Sequence, residues 1–206
     1  MERQRDNRRP AFDHVTAVIL AGGQSRRMKT DKCTLPIDGK PLIEHVLSQL
    51  TPCFAQVLVS VADPDRFSDL RAEVVADRQG GLGPIMGIIS ALEVSRHEVN
   101  FVQACDIPKT DFALVEEMLS IAKGCDVVMP RTAEQHLEPL FAVYNQSALS
   151  ALHRVLKKDR GAVHKIADRC HAKFIDLREG HTIRNLNTMS DYTSYLHKHK
   201  KADTED

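Results

Sequence analysis

Short apolar runs at residues 15–20, 57–61, 101–105, 127–129 and 140–144 alternate with stretches of helical spacing at 41–50, 84–94, 112–122 and 147–157. Continuous runs rich in Val and Ile have no polar face, so they suit strands covered on both sides. A helix between successive strands supplies that cover, and the order predicts a three-layer α/β/α sandwich around a mostly parallel sheet. Pro41 and Pro84 stand where a first-turn proline is tolerated, and Gly124 follows the third helical stretch as a terminator. In such folds ligands collect at the carboxyl ends of the strands, so the polar residues that follow each strand are the candidates for chemistry.

The 206 residues are 42% hydrophobic, which suits one domain over 15–196 between a solvated arginine-rich tail, 1–14, and a charged tail, 197–206. With 28 basic and 28 acidic residues no global field attracts nucleic acid or an anionic membrane, and no long apolar stretch suggests a membrane span. Phosphate chemistry in this chain must therefore be local. Cys33, Cys53, Cys105, Cys125 and Cys170 are scattered, without a CxxC pair or a leading secretion signal, and read as reduced thiols in the cytoplasm. The ten histidines show no HxxxH or HExxH spacing, which argues against structural zinc.

The first run ends at Leu20 and passes into Ala21, Gly22, Gly23, Gln24, Ser25, Arg26, Arg27, Met28, Lys29, Thr30, Asp31 and Lys32. Adjacent glycines let backbone N–H groups approach an anion, and several cations follow closely, so the segment reads as a phosphate cradle with its own counter-charges. It is not a Walker loop, which needs GxxxxGK and then Ser or Thr. Nor is it a dinucleotide fingerprint, which needs a third glycine. The Gly39–Lys40 pair precedes Pro41 and reads as a turn before a helix.

Residues 73–76 read as a short strand with Asp77 at its end, ahead of the glycine-rich stretch 80–87. Gly83 and Gly87 bare one helix face, against which a flat base or ribose can lie; equally, Asp77 can cap a turn while the glycines permit close packing. The strand at 101–105 delivers Asp106, followed by Ile107 and Pro108. A carboxylate there can hold magnesium bridging phosphate oxygens, although a lone strand-end Asp is also an ordinary turn residue. His136 and Glu138 read as surface-loop residues before a strand. Asn185 and Asn187 alternate, so both amides can face one ligand, while Thr188 with Asp191 can form a capping box for a final helix.

LAGGQSRRMKTDK followed by GKPLIEHVL resembles the N-terminal signature of the MobA-type molybdenum cofactor guanylyltransferases, within the sugar-nucleotide-pyrophosphorylase-like superfamily. ACDIP resembles that family's CDxP motif, GPIMG its GPxxG segment, QHLEPLFAVY a strand near the pterin, and RNLNT its NxNTP element, with Met189 in place of the usual proline. Lys29 stands where a glycine usually follows Arg-Met. The resemblance spans about residues 15–192 with the motifs in family order. It implies a Rossmann-like sheet of the nucleotide-diphospho-sugar transferase type.

It further implies that Leu20, Ala21, Gly22, Gly23, Lys32, Asp77, Gly83, Gly87 and Asp106 line the nucleotide, and that Arg27, Lys32 and Asp106 are catalytic. Mg2+ would sit on Asp106, and Asn185 and Asn187 on the pterin side. The expected reaction is GMP transfer from GTP to molybdopterin, with pyrophosphate released; molybdenum-insertion proteins and target molybdoenzymes would be partners. Two alternatives stand beside it. One is another small-molecule nucleotidyltransferase such as a cytidylyltransferase of molybdopterin, whose loop usually reads LAAG where this chain has LAGG. The other is a non-catalytic protein that binds and delivers molybdopterin.

Overall fold

The computed structural model describes residues 11–22, 31–159, 161–178 and 180–202. Nine strands and five α-helices follow one another among them: β1 (Phe12–Leu20), β2 (Pro36–Ile37), β3 (Lys40–Pro41), α1 (Leu42–Leu50), β4 (Phe54–Val61), β5 (Glu73–Ala76), α2 (Pro84–Val94), β6 (Val99–Ala104), α3 (Phe112–Ile121), β7 (Val127–Arg131), β8 (Phe141–Asn145), α4 (Leu149–Lys158), β9 (Ala172–Asp176) and α5 (Met189–Ala202). Seven strands form one sheet in the order β5-β4-β1-β6-β8-β7-β9, and β2 with β3 makes a separate two-stranded hairpin. β1, β4, β5 and β6 run parallel, as do β7 and β9, while β8 is antiparallel to both of its neighbours. The mostly parallel α/β sheet is thus as expected, with one reversed strand.

Each central strand sends alternate side chains to opposite faces, and both are covered. Val15, Ala17 and Ile19 of β1 join Val59, Phe101, Phe141 and Val143 beneath α1 and α3. Val18 and Leu20 join Leu58, Val102, Ala142 and Tyr144 beneath α2 and α4. α2 shows why burial on all sides reads as a hydrophobic run: Ile85, Met86, Ile88, Ile89, Ala91 and Leu92 are all buried. Phe54, Phe101 and Phe141 form a row across three strands, with ring centroids 5.7 Å and 5.0 Å apart, an arrangement that adds about 1 kcal/mol per pair to their area burial.

Three local differences from the expected elements have physical causes. β1 begins at Phe12 rather than residue 15, because the Phe12 N–H donates to Cys53 O (2.8 Å) and its ring packs on Phe54 at 4.9 Å. β9 was not foreseen; only Ile175 of its five residues is buried, so this edge strand carries no continuous apolar run. α5 extends to Ala202, so the charged stretch from residue 197 begins as helix. Its start is the expected capping box: Asp191 Oδ2 accepts from the Thr188 N–H (2.8 Å), and the Asp191 N–H donates to Thr188 Oγ1 (3.1 Å). The turn at Gly39–Lys40 proves to be the β2–β3 hairpin, with Asp38 (φ 49°) and Gly39 (φ 76°) both left-handed. Asp-Gly is the pair that such a two-residue turn favours.

Candidate active site

The chain leaves β1 towards β4 and β5 on one side, then returns to β6 on the other. The connections that leave the carboxyl ends of β1 and β6 therefore run in opposite directions, the switch point at which an open α/β sheet forms its ligand crevice. Leu20 and Ala104 face each other there in register, and the Cys105 N–H donates to Leu20 O at 3.0 Å. Leu20 is 6% exposed, so its contribution is to anchor the strand end inside the core rather than to offer a side chain to a ligand. Ala21 continues the pairing by donating to Ser60 O at 2.8 Å, and Gly22 lies exposed beyond it. Gly23, Arg27 and Lys29 lie outside the described residues.

The described chain resumes at Asp31, whose side chain caps a short 3₁₀ turn, Lys32–Thr34, by accepting from the Cys33 N–H at 3.1 Å. Asp31 is also ion-paired with Arg66, which sequence reasoning did not single out. This capped turn aims Lys32 into the crevice. Its Nζ donates to Asp106 Oδ2 at 2.9 Å and to Asn187 Oδ1 at 3.1 Å. Three residues separated by 74 and 155 positions thus meet at one ammonium group.

Asp106 sits in the turn that ends β6, closed by the Ile107 N–H donating to Ala104 O at 3.1 Å. The Leu186 N–H donates to Asp106 O at 2.8 Å, which ties the extended segment 185–187 to the same turn. Leu186 is fully buried while Asn185 is half-buried and Asn187 exposed, and of the two asparagines it is Asn187 whose amide meets Lys32. Beneath the pair lie Cys33 and Cys105, 7% and 3% exposed. Hydrogen bonding to Cys33, then burial and the nearby Asp106 charge, push the Cys105 thiol well above its ordinary value, so it stays protonated. These cysteines are packing groups.

Asp77 occupies the opposite flank, its N–H bonded to Val61 O (2.8 Å) and its Oδ1 accepting from Ser60 Oγ at 2.9 Å. Burial raises its pKa, and the Ser60 hydrogen bond partly offsets that. A β-carbon added to Gly22 would lie 3.8 Å from Asp77 Oδ2, so this glycine and Asp77 are neighbours across the ends of β1 and β5. The two helix glycines divide in role. Gly83, exposed at φ 74°, needs its conformational freedom to start α2 and leaves the first turn open. Gly87 is buried; a β-carbon there would meet Ser60 Oγ at 2.8 Å and Leu20 Cδ2 at 3.1 Å. Its bare face is thus filled by protein, and close packing, rather than a base against the helix, accounts for it. Ser60 is the residue the sequence reading passed over, and its signal was a lone hydroxyl inside the apolar run at 57–61.

Among the described residues no group of three or more His, Cys, Asp or Glu side chains could hold a metal ion unaided. Asp106 instead offers a single carboxylate with a cation already beside it. That donor set suits a hard divalent ion arriving with phosphate oxygens and water as its other ligands. His136 is exposed and Glu138 half-buried, in the loop between β7 and β8. No helix of the described residues is long and apolar enough to cross a membrane.

The chain is similar to several known proteins. A probable molybdenum cofactor guanylyltransferase of Pelotomaculum thermopropionicum is 38% identical over 69% of each chain. One from Carboxydothermus hydrogenoformans is 30% identical over 90% of this chain and 96% of its own. The crystal structure of molybdopterin-guanine dinucleotide biosynthesis protein A from Archaeoglobus fulgidus superimposes with a TM-score of 0.78 at 27% identity, covering 90% of this chain and 99% of the other. The family model for the MobA-like NTP transferase domain matches residues 17–173, from within β1 to the start of β9. The chain therefore belongs to the MobA-like NTP transferase domain family and is a nucleotidyltransferase.

Proposed function

We propose that the chain transfers GMP from GTP to molybdopterin, forming the guanine dinucleotide cofactor and pyrophosphate. The observation that carries this reading is the meeting of Lys32, Asp106 and Asn187 at the mouth between β1 and β6. It joins the expected triphosphate, metal and pterin sides of the reaction at one point. The names of the relatives supply the substrates.

A terminal phosphate oxygen of the pterin forms the new bond to the α-phosphorus of GTP as the bond to the β-phosphate oxygen breaks. Pyrophosphate leaves with that electron pair. A phosphate monoester is already ionised, so the protein's task is alignment and charge neutralisation rather than proton abstraction. Lys32, with Arg27 from the cradle, takes the β and γ phosphates and the charge that grows on pyrophosphate. Asp106 holds a divalent cation, assigned as Mg2+, which when bound neutralises phosphate charge. Gly22 and Gly23 offer backbone N–H groups, Asp77 faces the nucleotide, and Asn185 and Asn187 face the pterin.

Gly22 also favours guanine. No left-handed conformation requires glycine at this position, and an alanine methyl would project towards Asp77. At 3.8 Å that methyl would make only ordinary contact, so the preference for guanine rests on the resemblance, in which relatives that use other bases usually carry alanine. Pyrophosphate release with molybdopterin, Mg2+ and either GTP or CTP tests the reading. Turnover with GTP is expected, turnover with CTP alone overturns the base, and tight pterin binding without turnover overturns the transferase in favour of a delivery protein.

A further inference from the structure

Asp106 has a one-carbon arm, so the place of its carboxylate is set by the backbone turn that carries it. Lys32, on a four-carbon stem, can adapt; Asp106 cannot. The turn 105–110 lies between β6 and α3 and has neither sheet nor helix to hold it. Two primary amides do so instead. Gln103 is fully buried in β6, yet its Nε2 donates to Ile107 O at 2.8 Å and its Oε1 accepts from Thr110 Oγ1 at 2.9 Å. Gln49, from α1, repeats the pattern: its Nε2 donates to Pro108 O at 2.8 Å and its Oε1 accepts from the Thr110 N–H at 3.1 Å. Each amide uses both ends on the four residues that follow Asp106.

A buried glutamine in a central strand is costly unless both ends are satisfied, and here both are satisfied by one turn. We infer that Gln103 and Gln49 are positioning residues, which hold the Asp106 turn so that its carboxylate stands at the crevice mouth between β1 and β6. Both act through the turn, with Gln103 fully buried. Partners that bond directly to a metal ligand cost about 10–100-fold in metal affinity or activity when removed; Gln103 and Gln49 act one step further out, through the backbone of the turn, and the lower end of that range is expected. The inference rests on the assignment of Asp106 as the cation ligand.

The test measures Mn2+ binding to the purified full chain by electron paramagnetic resonance, with and without GTP, alongside thermal unfolding. Gln103→Met and Gln49→Met should each weaken Mn2+ binding by about ten-fold or more, with turnover partly recovered at high metal concentration. Gln49 is only half-buried, so its variant remains informative where Gln103→Met fails to fold. Gln56→Met serves as the control. That side chain is equally internal (5% exposed) and accepts from Thr16 Oγ1 at 2.9 Å, but it sits in the amino-terminal half of β4, away from the crevice. It should lower stability and leave Mn2+ binding per folded molecule unchanged. Glutamine variants that lose only stability, as Gln56→Met does, overturn the positioning role. Asp106→Asn separates the two levels: wild-type Mn2+ binding in that variant overturns the ligand assignment itself.

Discussion

Gly87→Ala probes the contact on which the nucleotide flank of the crevice depends. The new methyl would lie 2.8 Å from Ser60 Oγ, 3.1 Å from Leu20 Cδ2 and 3.5 Å from Asp77 Oδ1. Leu20 can yield by a small rotation, but the hydroxyl must turn away, and its 2.9 Å hydrogen bond to Asp77 goes with it. Alanine inside a helix gains about 1 kcal/mol over glycine. Against this stand about 2 kcal/mol of overpacking and about 1 kcal/mol for the lost hydrogen bond. The net loss is about 2 kcal/mol, or a fall of roughly 4–8 °C in Tm for a chain of this size. Thermal unfolding of Gly87→Ala, Ser60→Ala and the double variant measures it as a cycle. Removing the hydroxyl makes room for the methyl, so the double variant should be more stable than the two single losses predict. GTP binding should weaken in Gly87→Ala as Asp77 loses its anchor. Strict additivity, or a Gly87→Ala chain as stable as wild type, would refute the packing account.

Asp77→Asn should trade binding for stability. Burial raises the folded-state pKa of Asp77 above its unfolded value, so between the two the folded chain binds more protons and stability falls as pH rises. The asparagine variant should therefore be the more stable at neutral pH, while its GTP affinity drops; chemical denaturation on either side of that window reads the first and titration the second. Asp191 has the opposite sign. Hydrogen bonds from the Thr188 hydroxyl and N–H lower its pKa, so its contribution is full above the unfolded carboxylate value and is lost as pH falls through the folded one. Asp191→Asn should flatten the acid limb of stability below the unfolded carboxylate value of about 3.9, and an unchanged limb would remove the capping box from the account. Lys32→Met leaves Asp106 without its counter-charge and should cut turnover by about 100-fold or more, the order found when one charge-stabilising group is removed from a transition state, while unfolding stays cooperative.

Much of this protein was legible in one dimension because its physics is local. A strand covered on both faces must be apolar throughout, so 15–20, 57–61 and 101–105 announced the sheet, and Asp-Gly at 38–39 was an available hairpin signal. Gly22, Asp77 and Asp106 stood out as candidates for a related reason: each follows a predicted strand, where ligands collect in such a sheet. Strand order, the reversal of β8 and the edge strand β9 left no such mark, since they depend on which segments pair rather than on what each one is. The same holds for the three-way meeting of Lys32, Asp106 and Asn187 and for the grip of Gln103 and Gln49 on the Asp106 turn. Gly87 shows the boundary most clearly. A missing side chain reads the same along the chain whether a ligand or a neighbour fills the space, and only the approach of Ser60 and Leu20 tells which.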